Sequence, residues 1–200
     1  MIHSPHETRA SLILRLPDDA DVAAWDEFVS VYGPVVFRLA VRQGMQPADA
    51  DNLVQEVFAL VARSISDWVD RDNRGSFRAW LMRIARNQAV NMLTRRATRP
   101  LGTDGEEAER ILAKLPDTDC ELSSQFDIEC RREIFAWAAA RVRDSVSPAT
   151  WQAFWLTRVE GGSIADAAEQ LDTSVGNIYI GRSRVMSRLR DLVKQFEDEL

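Results

Sequence analysis

Pro47-Ala-Asp-Ala-Asp-Asn-Leu-Val-Gln-Glu-Val-Phe58 is followed, after a polar stretch, by Gly75-Ser-Phe-Arg-Ala-Trp-Leu-Met-Arg-Ile-Ala-Arg-Asn87. The first run carries Asp49, Asp51 and Glu56 and no basic residue as far as Ala62. From Arg63 to Arg99 there are nine arginines against Asp67, Asp70 and Asp72, a local charge of +6. Ala50, Leu53, Val54, Val57, Phe58, Val61 and Ile65 recur at helical spacing, so the first run predicts an amphipathic helix with an acidic outer face. Pro47 suits its first turn, where a missing N–H costs nothing. Ser76 is a good N-cap for a second helix from Phe77 that ends near Thr98, ahead of Pro100. Its core face is expected from Trp80, Leu81, Ile84, Ala85 and Met92, with Arg83, Arg86, Asn87 and Thr94 opposite.

Two adjacent surfaces of opposite sign imply two partners, one a protein and one a polyanion. The chain as a whole argues against nucleic acid, with 25 basic and 31 acidic residues in 200 and a net charge of −6. The distribution reverses that reading. A second cationic stretch, Val175–Arg190, carries +4 from Arg182, Arg184, Arg188 and Arg190, while seven acids gather in Pro100–Gln125. Only Lys114 and Lys194 are lysines. The cations are therefore guanidinium forks, which bond phosphate and guanine bidentately.

Helical periodicity dominates elsewhere, and no period-two pattern stands out. Trp25, Phe28, Val29 and Tyr32 mark a face of an earlier helix, which Gly33-Pro34 is expected to interrupt or kink and Gly44 to end. Ile128, Ile134, Phe135, Trp137 and Ala138 predict another helix. Ser147-Pro148 opens a further one holding Trp151, Phe154 and Trp155, and Gly161-Gly162 breaks it.

The C-terminal part has helix-turn-helix spacing: Ile164, Ala167, Ala168 and Leu171, then Val175, Ile178 and Val185. Small Ala167 and Ala168 permit a close crossing, and the short turn presents the second helix to a major groove. Ile178, Val185, Leu189, Leu192 and Phe196 form its core stripe; Asn177, Ile180, Gly181 and Arg184 are expected on the outer face. Arg184, Ser183, Tyr179 and Ile180 are the candidate base contacts, and Arg182 and Arg188 the candidate phosphate contacts. In the earlier basic helix the candidates are Arg83, Arg86, Asn87, Arg95 and Arg96, with Asn73 and Arg74 in the loop before it. That loop is suited to an unstacked base, for which Trp68 or Trp80 offers a stacking platform, unless both tryptophans are core. The acidic candidates for a protein partner are Asp49, Asp51, Asn52, Gln55 and Glu56; such a face is otherwise a solvated surface.

Other classes fall away. No apolar run reaches the ~20 residues that span a bilayer, and Met1–Arg15 lacks the layout of a secretory signal, so a reduced cytoplasmic setting is expected. Cys120 and Cys130 have no paired histidines, and no nucleophile–base pattern, phosphate loop or metal spacing is present, so neither an enzyme nor a cofactor is expected.

Asp49–Phe58 resembles the region 2 helix of bacterial RNA polymerase sigma factors, and Gly75–Asn87 their promoter-reading helix. Ser163-Ile-Ala-Asp-Ala-Ala-Glu-Gln-Leu171, with Ser174-Val-Gly-Asn-Ile-Tyr179 and Arg182-Ser-Arg-Val-Met-Ser-Arg-Leu-Arg190, resembles region 4. Two such regions on a short linker are similar to the extracytoplasmic-function (ECF) group, as are Thr8–Leu16 and Tyr32-Gly-Pro34. The resemblance implies an all-α fold of two small helical domains: region 2 over 16–98, an acidic linker over 99–125 and region 4 over 126–196. It implies docking of the acidic helix on the clamp helices of the polymerase β′ subunit and reading of the −10 element by the loop and basic helix. It further implies reading of the −35 element by the last helix and a contact with the β flap. Control by an anti-sigma factor is compatible with it. Asp172 departs from the region 4 pattern, where glycine or another turn former is frequent; Asn177 and Tyr179 replace a common threonine and a common basic residue. The alternatives are a stand-alone helix-turn-helix regulator, binding duplex DNA as a dimer, and an adaptor that imitates a sigma factor.

Overall fold

The computed structural model describes residues 12–72, 75–97, 110 and 119–196, and among them all regular structure is helical. The described residues fall into two compact units, divided after Glu133.

The first unit opens with α1 (Leu12–Arg15) and α2 (Val22–Arg42). Asp21 caps α2 by accepting from the Ala24 N–H at 3.0 Å and takes both carboxylate oxygens to Arg15 at 2.8 Å. The bond from Arg15, then that from the Ala24 amide, holds the Asp21 carboxyl below its usual range. Helix α2 runs through Pro34 as one element rather than being interrupted there. The preceding Gly33 leaves room for the Phe58 ring, 3.8 Å from where its Cβ would stand. Gly44, at φ 96°, closes the turn after α2, and Pro47 starts α3 (Pro47–Val69).

Helix α4 (Phe77–Ala97) begins at Ser76, whose hydroxyl accepts from the Ala79 N–H at 3.2 Å. Aromatic rings join the three long helices. Phe28 lies 5.0 Å from both Tyr32 and Phe58, and Trp68 of α3 stacks on Trp80 of α4 at 5.3 Å. Such pairs contribute about 0.5–1.5 kcal/mol each beyond their buried area. Val29, expected on the apolar face, is exposed instead.

Helix α5 (Asp119–Ser145) supplies residues to both units. The second module, read from sequence as starting at Phe126, therefore differs from the spatial division. Phe126 is buried in the first unit, beside a small apolar cavity of about 40 Å³ lined by Val36, Leu39, Met45, Met82 and Leu93. Glu129 is buried and held by Arg38 at 3.0 Å and Arg42 at 2.8 Å, and Arg38 reaches Glu133 at 2.6 Å. The inward face is Phe126, Cys130, Ile134, Trp137, Ala138 and Val142, whereas Ile128 and Phe135 are exposed. Helical spacing shows that a face is apolar but not which core receives it. Burial pushes the Cys130 thiol up to about 12, so it stays protonated and inert at neutral pH.

The second unit follows with α6 (Pro148–Phe154), a π-helical turn (Trp155–Val159), α7 (Ile164–Gln170), α8 (Val175–Val193) and a 3₁₀ turn (Lys194–Phe196). Ser147, Ser163 and Ser174 cap α6, α7 and α8, each accepting from the N–H three residues on. Ala153, Ala167, Ala168 and Ile178 form the crossing of α6, α7 and α8. Trp137 meets Phe196 edge-on at 4.8 Å.

Candidate nucleic-acid interface

The short link between α7 and α8 gives the pair helix-turn-helix geometry. Leu171 ends α7, and Asp172 turns the chain with φ 46°. A left-handed φ suits glycine best, and aspartate tolerates it better than most side chains. Ser174 then starts α8 at once. Ala167 and Ala168 are buried, as the crossing demands.

Gly181, expected on the outer face, is buried instead, with Ala153 Cβ 3.4 Å and the Thr150 backbone 3.7 Å from the site of its missing Cβ. It lets α8 approach α6. Glycine carries no hydropathy signal, so periodicity alone does not reveal that it is packed.

The remaining candidates on α8 reach the surface. Asn177, Tyr179, Ile180, Ser183, Arg184 and Arg188 are exposed, and Arg182 is half-buried. Arg182 lies over the Tyr179 ring at 5.3 Å, which orients the phenol and keeps the guanidinium at the rim. Arg188 donates to the Ser145 carbonyl at 2.5 Å and to its hydroxyl at 2.9 Å. Its guanidinium therefore satisfies the C-terminal end of α5 as well as facing water. Asn177 Nδ2 donates to Thr173 Oγ1 at 3.1 Å. A groove of about 470 Å³ runs beside Tyr179 and Ile180 and adds Arg158 and Arg190 to the cationic rim. Arg158 comes from the π-helical turn, far off in sequence, and no helix-based reading signals it.

In the first unit, Arg83, Asn87 and Arg95 are exposed along α4. Asn91 extends the row, one turn beyond Asn87, and the sequence reading missed it although its i+4 spacing was available. Arg86 is half-buried against the apolar cavity beside Val36 and Leu39. Its aliphatic stem belongs to the core, so the charged residue does not mark an outer face. Asn73, Arg74 and the Arg96 side chain lie outside the described residues. Trp68 is only 2% exposed and covered by Trp80 and Phe77, which removes it as a platform for a base. Trp80 is half-buried and spends one ring face on Trp68.

On α3, Asp51, Asn52 and Gln55 are exposed, with Glu56 half-buried beside them. Spacings of three and four put them on one side of the helix. Asp49 is buried at 6% exposure in the first turn and is withdrawn from that surface. There its charge favours the helix N-terminus.

Sigma-70 region 2 matches residues 28–99. The ECF RNA polymerase sigma-E factor of Haemophilus influenzae is 31% identical over 191 residues, covering 94% of each chain. The chain belongs to the ECF RNA polymerase sigma factors. The ECF RNA polymerase sigma factor SigE of Mycolicibacterium smegmatis is 29% identical over 182 residues, 91% of this chain. This chain spans 66% of that relative's length. A sigma factor directs transcription initiation, and a stand-alone helix-turn-helix regulator is not favoured. The family is not an enzyme family. Among the described residues, no helix of this sigma factor is long and apolar enough to cross a membrane.

Proposed function

We propose that this chain binds core RNA polymerase through α3 and positions promoter DNA with α4 and α8. The observation that carries the reading is the segregation of side chains. Asp51, Asn52, Gln55 and Glu56 gather on α3 without a cation, while Arg83, Asn87, Asn91 and Arg95 line α4. Arg182, Arg184 and Arg188 frame the outer face of α8.

In this proposal the α3 face docks on the clamp helices of the β′ subunit. The α4 row, with Asn73, Arg74 and Arg96, engages the −10 element. On α8, Asn177, Tyr179, Ile180, Ser183 and Arg184 face base edges of the −35 element, and Arg182 and Arg188 hold phosphate. The second unit also touches the β flap, and an anti-sigma factor is a further partner. The work is done in the cytoplasm and needs no catalytic group, because the polymerase makes the bonds. DNA affinity of the chain alone is expected to be weak and to fall steeply with salt. Specificity arises in the holoenzyme, where one seated module raises the effective concentration of the other at its element.

The test is co-purification with core polymerase, followed by run-off transcription on a genomic promoter library. Association with new start sites sharing two spaced motifs is expected. Dimeric binding to duplex DNA without polymerase would overturn the reading.

A further inference from the structure

Helix α8 turns at about 100° per residue, which puts Ile180 nearly opposite the buried Ile178 and Val185. Its neighbours on that outer face are Gly176 and Ser183, both small, on one flank and Asn177 and Arg184 on the other, all exposed. Gly176 has no packing reason to be glycine, since the nearest atom to its missing Cβ is Ser174 Oγ at 3.8 Å. Ile180 stands as an apolar knob, 57% exposed, open on its Gly176–Ser183 flank, where Tyr179 lies beside it at 50% with Val175 one turn before Tyr179. A solvated helix face would be polar at its centre. Here the centre is apolar and the rim is cationic, from Arg182 and Arg184 on α8 and Arg158 beyond it. Cations suit the phosphates that flank a major groove, and an apolar knob between them suits the one apolar group the groove offers, the thymine C5-methyl.

We infer that Ile180 reads thymine through its methyl group, so that the upstream promoter element carries an A·T pair where Ile180 meets the groove. Tyr179 covers the side of that contact and excludes water. This rests on α8 being the DNA-reading helix.

The test uses the holoenzyme and the promoter recovered by run-off transcription. Each thymine of the upstream element is replaced singly by deoxyuridine, which removes the methyl and keeps every hydrogen-bonding group. One position is expected to lose about threefold to fourfold in affinity, the size of burying one methyl. Ile180→Ala should weaken the thymine promoter to the same extent and erase the thymine–uracil difference at that position alone. Ile180→Val, which keeps a branched apolar contact, should retain most of it. The inference is overturned if every uracil is neutral, if the penalty persists in Ile180→Ala, or if the element has no A·T pair. Exchange of A·T for G·C pairs separates the two levels. If such exchanges matter but uracil does not, the methyl reading alone fails. If neither they nor Arg184→Ala matter, α8 does not read DNA.

Discussion

Helices α4 and α8 both carry rows of arginines and present them differently. On α8 most of the cations are presented: Arg184, Arg188 and Arg190 face solvent and Arg182 is half-buried, while Ile178, Val185 and Leu189 are buried. On α4 the cations are divided. Arg83 and Arg95 are exposed, but Arg78 and Arg86 are half-buried, and Arg86 lies against Val36 and Leu39. A count of arginines measures the charge a segment can offer, and packing decides which part is offered to a polyanion.

The largest effect is expected from removing the support under α4. Trp68→Ala deletes a buried ring that touches Phe77 and Trp80, and about 3–5 kcal/mol of stability should go with it. The α4 surface should be lost with the first unit's cooperative melt, followed by circular dichroism on the full chain. A stable variant would mean that α4 is held otherwise.

The matching change in the second unit is Gly181→Leu. Gly181→Ala should be tolerated, because its Cβ would sit at ordinary contact distance from Ala153. Leucine has nowhere to go, and overpacking should cost about 1–3 kcal/mol. Denaturant midpoints would show whether the two substitutions separate.

The third prediction sets two arginines of α4 against each other. Arg83→Ala should leave the melting temperature unchanged and lower the salt slope of DNA binding by about 0.9. Arg86→Ala should lower the melting temperature by removing its packed stem and leave the salt slope alone. Equal behaviour in both measurements would erase the distinction between presented and buried cations.

The smallest effect lies away from both helices, at the Arg15–Asp21 pair. The Asp21 carboxyl is held below its ordinary range in the folded chain. Its stabilising contribution is thus fully present above the ordinary carboxylate value of about 4 and lost as pH falls through the lower folded value. Asparagine keeps the cap but not the charge. The melting-temperature advantage over Asp21→Asn should therefore be present at pH 7 and shrink below pH 4.

Much of this architecture was legible in the residues. The capping serines at 76, 147, 163 and 174, the Pro47 and Pro148 starts and the α8 core stripe follow from local chemistry that tertiary packing does not override. What escaped depends on through-space neighbours. Gly181 has no side chain to reveal its contact. Asp49 and Arg86 are charged yet packed, and Ile128 and Phe135 are apolar yet exposed. Arg158 joins the α8 groove only through the fold of the second unit. The destination of Phe126 and Glu129 could not be read from spacing, because an apolar stripe on α5 serves either core equally well.

In the proposed function the acidic side of α3 and the outer face of α8 divide the labour. The most direct test of that division compares Glu56→Lys and Arg184→Ala in two assays, retention on core polymerase and −35-dependent transcription from a cognate promoter. The account predicts that Glu56→Lys loses polymerase, and with it transcription, while Arg184→Ala keeps polymerase and loses transcription by about 5-fold to 100-fold, the range of one good base contact. Equal losses of both variants in both assays would contradict it.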